Sequence, residues 1–218
     1  MALLPAAALA VGLAVLVTRE AGAEFLPLSR ALVNLGQTIP PVAVLALAVP
    51  MLGFGARPAL LALFLYGMLP VFENALAGLR AVPASTRLAA DAVGMTGARR
   101  LLSVELPLAL PLILEGLRVS AVISLSTATI GSTVAARTLG EVIIAGLLSS
   151  NTAYVVQGGV VVGVLAVLIS NLFREIELRL VPGAATAWLA VIAVLLAGRG
   201  WAIALIAVIV ALCLLARQ

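Results

Sequence analysis

The chain has no histidine, all thirteen of its basic residues are arginine, and it carries a single cysteine and few aromatic residues. Each shortage removes a class of chemistry. Without histidine, and with Cys213 alone, an ordinary zinc site, a cysteine-ligated metal cluster and an internal disulfide are all excluded. Without lysine there is no Gly-x-x-x-x-Gly-Lys-Ser/Thr phosphate loop, so this chain has no such means of hydrolysing ATP. No basic cluster sits beside the two Trp, two Tyr and five Phe, which argues against a nucleic-acid surface. Charge is also scarce. Only 10% of residues are charged while 64% are hydrophobic, and the mean hydropathy is +1.26. Soluble domains are about half apolar and about a quarter charged. A chain of 218 residues cannot hide this much apolar surface from water, so its solvent is lipid.

What is present is a series of apolar runs. Matched to the bilayer thickness, they give candidate spans at 2–18, 36–55, 58–79, 109–135, 154–172, 183–197 and 201–216. The last two are short, and a single hairpin over both is an alternative. The first run lacks the basic leader of a signal peptide, and Thr18-Arg19-Glu20 reads as a membrane boundary. Pro40, Pro41, Pro50 and Pro70 fall in spans, where neighbouring helices can satisfy the carbonyls a proline frees. Gly53, Gly55 and Pro58 predict a tight turn between two helices.

The arginines set the orientation. With residues 80–108 in the cytoplasm and the spans alternating, ten arginines fall inside: Arg19, Arg30, Arg80, Arg87, Arg99, Arg100, Arg118, Arg174, Arg179 and Arg217. Three, Arg57, Arg137 and Arg199, fall outside. This positive-inside bias predicts an external N-terminus.

Residues 84–107 are the one long polar island. Ser85 or Thr86 is expected to cap a helix running through Ala92, and Gly94 allows a left-handed turn or a close backbone approach. A second short helix is expected over 97–104, stopped before Pro107. On these residues alone, a helix–turn–helix elbow and an ordinary interfacial loop are both open.

The stretch resembles the EAA loop of binding-protein-dependent ABC importer permeases of type I. That loop reads Glu-Ala-Ala, three residues, Gly, nine residues, an aliphatic residue, any residue and Leu-Pro. Here it is Leu88-Ala89-Ala90, Gly94 and Val104-Glu105-Leu106-Pro107, with Leu88 where the family often has Glu. Further segments resemble the branch that handles glycine betaine, choline and related quaternary amines. They are Leu35-Gly36-Gln37-Thr38-Ile39-Pro40, Ala59 to Tyr66, Leu69-Pro70, Gly94-Met95-Thr96 and Val104 to Pro111. The likeness covers roughly 8–180.

The resemblance implies an all-α polytopic bundle of about five core spans over 1–180, with 181–218 adding a membrane helix or hairpin. It implies a bacterial or archaeal plasma membrane. The elbow, carried by Ala89, Ala90, Asp91, Gly94, Met95, Thr96, Val104, Leu106 and Pro107, would sit in a cleft of a separate cytoplasmic ATPase. The partners implied are an ATPase dimer, a second permease subunit and an external substrate-binding protein. ATP and Mg would bind the ATPase, leaving this chain without a cofactor of its own. Residues 137–151, with Arg137, Gly140, Glu141 and Asn151, would form a short re-entrant or surface helix that meets the binding protein.

Seven Ser/Thr fall between 120 and 133. Ser120, Ser124 and Thr127 share one helical stripe; Ser126, Thr129 and Thr133 share the next. They read either as packing and back-bonding groups or as the lining of the transport pathway. The scattered aromatics make no cage for a quaternary ammonium, so tight recognition is expected in the binding protein. Glu115 and Arg118, three apart on a helix, are expected to pair, Glu73 to reach the interface, and Asn74 and Asn171 to pack between helices. Three rivals are a permease for another solute such as an amino acid, a membrane scaffold, and an intramembrane enzyme. The last lacks any Ser with a base at helical spacing.

Overall fold

A computed structural model describes residues 2–180. The expected spans at 183–197 and 201–216, and with them the whole tail 181–218, lie outside the described residues. Every regular element among the described residues is helical.

Helix α1 (Leu3–Val17) buries Ala6, Ala10, Ala14 and Val17, one stripe at helical spacing. Small side chains there let it lie close on α4 (Ala56–Ala81), against Val71, Phe72, Ala75, Leu76 and Leu79. A short 3₁₀ segment, Glu20–Phe25, then leads into α2 (Leu26–Thr38).

The span expected at 36–55 is not one helix. The chain instead forms α2 and α3 (Pro41–Leu52), bent by 93° at Ile39-Pro40. Ile39 is extended, and Pro41 has no N–H to continue the α2 ladder, so the two prolines end one helix and start the next. The break is tied to α4. Pro70 leaves the Tyr66 carbonyl without its intrahelical donor, and Gln37 Nε2 donates to that oxygen at 3.2 Å. In return, the Tyr66 hydroxyl donates to the carbonyl of Ile39. The turn expected from Gly53 and Gly55 is present, with φ of 75° and 118°. Pro58 is buried inside the first turn of α4.

After α4 come three elements of the elbow: α5 (Ala84–Ala92), α6 (Gly97–Arg100) and a π-helical turn, Leu101–Glu105. They lead into α7 (Leu106–Ile130). From Gly97 to Val134 the chain is one continuous helix of 38 residues. The α4–α7 contact is the most extensive among the described residues and rests on glycine. A Cβ at Gly116 would lie 2.8 Å from the Pro70 carbonyl oxygen, and one at Gly67 would lie 2.9 Å from Ser120 Oγ. The left-handed Ala135 ends this helix, and the Gly55 N–H binds the Val134 carbonyl at 2.7 Å.

A short helix, α8 (Glu141–Leu148), stands where 137–151 predict one, and packs on α9 (Thr152–Leu180). Asn151 caps α9, its Oδ1 accepting the Ala153 N–H at 3.1 Å. Helix α9 leaves Val161, Val164, Val167, Leu168 and Leu172 exposed. Asn171 is exposed as well, so among the described residues it does not pack between helices.

Candidate functional site

The elbow begins on proline. Pro83 caps α5, and its carbonyl accepts the N–H groups of Thr86 and Arg87 at 3.1 and 3.3 Å. The cap expected at Ser85 or Thr86 is therefore absent, and both residues lie inside the helix. Proline performs this job because its fixed φ enters the helix without strain.

The helix ends as Gly94 predicts. The Met95 N–H binds the Ala90 carbonyl at 3.1 Å and the Gly94 N–H binds that of Asp91 at 2.9 Å, while Gly94 takes φ 75°. This paired arrangement is a Schellman turn, which needs a left-handed residue past the last helical one. Nothing lies within 4 Å of where a Cβ on Gly94 would sit, so backbone conformation, and not close approach, calls for glycine. Thr96 then caps the next helix, its Oγ1 accepting the Arg99 N–H at 3.4 Å. Asp91, Gly94, Met95 and Thr96 thus shape one corner, with Ala89 exposed and Ala90 buried just before it.

The second helix does not stop before Pro107. It passes through the π turn and into α7, with Pro107 in the first turn. The wider π turn relieves the clash a proline ring makes with the carbonyl four residues back. Val104, Leu106 and Pro107 therefore join the elbow rigidly to the span, where a loop would have left it hinged.

Glu105, which stands at the unspecified position of the loop pattern, is the centre of the site. Its side chain is 5% exposed. It accepts from Arg100 Nε at 3.0 Å and pairs with Arg19 at the end of α1, whose Nη1 and Nη2 donate to its two oxygens. Arg100 also holds Asp91, at 2.6 Å to Oδ2. One chain of charges thus links α5, α6, the π turn and α1. Arg87 adds a second tie, its Nη2 donating to the Val82 and Leu79 carbonyls at the end of α4. Between these groups is a polar cavity of about 350 Å³ lined by Thr18, Arg19, Leu79, Arg87, Arg100 and Glu105. The elbow is joined to the bundle by these charges and by Leu101, which packs on the apolar core, while Leu88, Val93 and Leu102 are exposed. Glu105 lies in the 104–111 segment of the resemblance, but neither that segment nor the loop pattern gives it a role. The only sequence hint was that Arg19 and Glu105 both fall at span ends on the same predicted side.

The hydroxyl row on α7 is divided. Ser120 is fully buried and donates to the Gly67 carbonyl of α4 at 2.8 Å; Thr127 is buried too. Ser124 Oγ is buried beside Gly67 without a hydrogen-bond partner. Ser126, Thr129 and Thr133 bond back to carbonyls of their own helix, at Val122, Leu125 and Ile130. Glu115 and Arg118 pair at 2.6 Å as expected, and Asn74 donates to the Pro70 carbonyl at 2.8 Å. Glu73 pairs with Arg30 of α2 through both carboxylate oxygens. Among the described residues no group of three or more acids or cysteines could hold a metal.

The all-helical bundle, its broken second span and the elbow ahead of α7 define a polytopic membrane protein with the fold of type I importer permeases. Residues 6–182 match the binding-protein-dependent transport system inner membrane components, and the chain belongs to that family. It is thus a membrane permease subunit of the inner membrane. It is 38% identical over 168 residues to the osmoprotectant import permease protein OsmY of Salmonella typhimurium, covering 77% of this chain and 71% of that one. It is also 38% identical to the choline transport system permease protein OpuBB of Bacillus subtilis, over 69% of this chain and 70% of that one. The glycine betaine/carnitine/choline permease protein OpuCB of the same organism is 36% identical, over 69% of each chain. An inward-facing structure of the MetNI methionine ABC transporter shares the fold, with a TM-score of 0.68 at 20% identity over 82% of this chain and 93% of that one.

Proposed function

We propose that this chain is the membrane subunit of an ATP-driven importer for a quaternary-amine osmoprotectant such as glycine betaine or choline. The observation that carries the coupling role is the elbow Ala84–Glu105. It is a rigid corner, continuous with α7 and ion-paired to α1, with an apolar outer side at Leu88, Val93 and Leu102. Force applied to that side moves a spanning helix directly. The elbow faces the cytoplasm, the N-terminus lies outside, and an ATPase dimer holding ATP and Mg grips the elbow. A second permease subunit, identical or related, completes the passage, and an external binding protein delivers the solute near α8. The names of the relatives support the cargo. Residues 1–180 form the transporting domain and 181–218 an addition to it.

The test is uptake of labelled glycine betaine by the reconstituted complex, with choline and amino acids as competitors. Competition by choline but not by amino acids is expected. Deletion of 88–94 should leave membrane insertion intact and abolish both uptake and substrate-stimulated ATP hydrolysis. Normal uptake by that variant would falsify the coupling role, and betaine-insensitive uptake of an amino acid would replace the cargo.

A further inference from the structure

Helix α2 carries three stripes. Ser29, Val33 and Gly36 are buried in the bundle. Leu28, Leu32, Leu35 and Ile39 form an exposed apolar stripe. Arg30, Asn34 and Thr38, each four residues from the last, form an exposed polar one. Arg30 on this stripe pairs with Glu73 of α4 at both oxygens, 3.0 Å from Nε and 2.9 Å from Nη2.

Glu73 of the pair stands within the apolar helix Ala56–Ala81. Glu73 is two helical turns, ~10 Å, deeper than Arg80, the basic residue in the last turn of α4. Yet the two side chains remain 44% and 38% exposed. Charged groups among lipid tails are costly, and pairing does not remove the cost of drying them. The Leu28–Ile39 stripe bears no such penalty. Neither do the exposed Val161, Val164, Val167, Leu168 and Leu172 of α9. Around α2 the uncovered surface is therefore of two kinds.

We infer that the Arg30–Asn34–Thr38 stripe of α2, with Glu73 of α4, forms a wall of a water-filled passage, while the leucine stripe beside it faces lipid. The passage would follow α2 and α4; of the α7 hydroxyls, Ser120 and Thr127 are buried and would not line it. The paired charges leave the wall without net charge, so a polar solute passes without being trapped. The inference deepens the permease reading and rests on it only for the presence of a passage.

The test uses the assembled complex in membranes, with Cys213→Ala as background. Asn34→Cys and Thr38→Cys report on the polar stripe, and Leu32→Cys and Leu35→Cys report on the apolar one at the same depths. A membrane-impermeant cationic methanethiosulfonate is applied to both membrane sides, and remaining thiols are counted with a fluorescent maleimide after denaturation. Water-exposed thiols ionise and react, so the polar-stripe cysteines should be modified at least about tenfold faster. Equal rates on both stripes, or an unreactive polar stripe, would overturn the proposal. Because labelling reads water access and not transport, a failed betaine assay leaves this result standing, and the reverse also holds.

Discussion

Arg19, the residue where α1 gives way to the next segment, pairs with Glu105 at the foot of α7, across 86 residues of chain. The carboxylate is almost fully buried and also holds Arg100 of the elbow. The first helix, the elbow and the long spanning helix are thereby fastened at one point. A shift of the elbow is passed to α1 as well as to α7.

Glu105→Ala should therefore destabilise the permease and uncouple it. Removing one partner of a buried ion pair costs about 3 kcal/mol, because the other charges stay behind unpaired. Thermal unfolding of the purified complex should show the loss, and Glu105→Gln should fall between. In a double-mutant cycle, Arg19→Ala and Glu105→Ala should fall short of additive by more than about 1 kcal/mol. Simple additivity would mean that the pair does not link α1 to the elbow.

At Gly94 the cost of substitution is conformational. The space around it is open, and only its φ of 75° selects glycine. A left-handed residue with a side chain costs about 1–2 kcal/mol, least for asparagine and most for a β-branched residue. Uptake should fall in the order glycine, Gly94→Asn, Gly94→Val at equal amounts of protein in the membrane. Equal uptake by the asparagine and valine variants would show that the Schellman turn is dispensable.

Gly116 presents the opposite case. A Cβ there would meet the Asn74 Cβ and the Pro70 carbonyl oxygen, each at 2.8 Å, in the α4–α7 contact. Gly116→Val should separate the two helices and cost about 1–3 kcal/mol by overpacking. Gly163→Val on α9, with nothing within 4 Å, is the matched control and should be near neutral in this chain. Resistance of the two variants to protease in detergent compares them directly.

Much of the molecule was legible before any coordinates. Apolar run length determined that the chain lives in a membrane, because lipid leaves backbone groups only themselves to bond with, and this forces helices. The 88–107 pattern located the elbow, since a Schellman turn needs its glycine at a fixed offset. Local signals misled where a neighbour supplied what they assumed missing. The apolar run at 36–55 hid a 93° break, because the hydroxyl of Tyr66, on the distant α4, satisfies the Ile39 carbonyl at the broken end. Pro107 was expected to stop a helix, but a π turn made room for it. Tertiary structure alone decided the rest: that Glu105 is gripped from two helices, that Ser120 packs on Gly67, and that Arg30 and Glu73 meet. Such pairings join residues tens of positions apart, and chain periodicity records which side of a helix a residue is on, not which neighbour will face it.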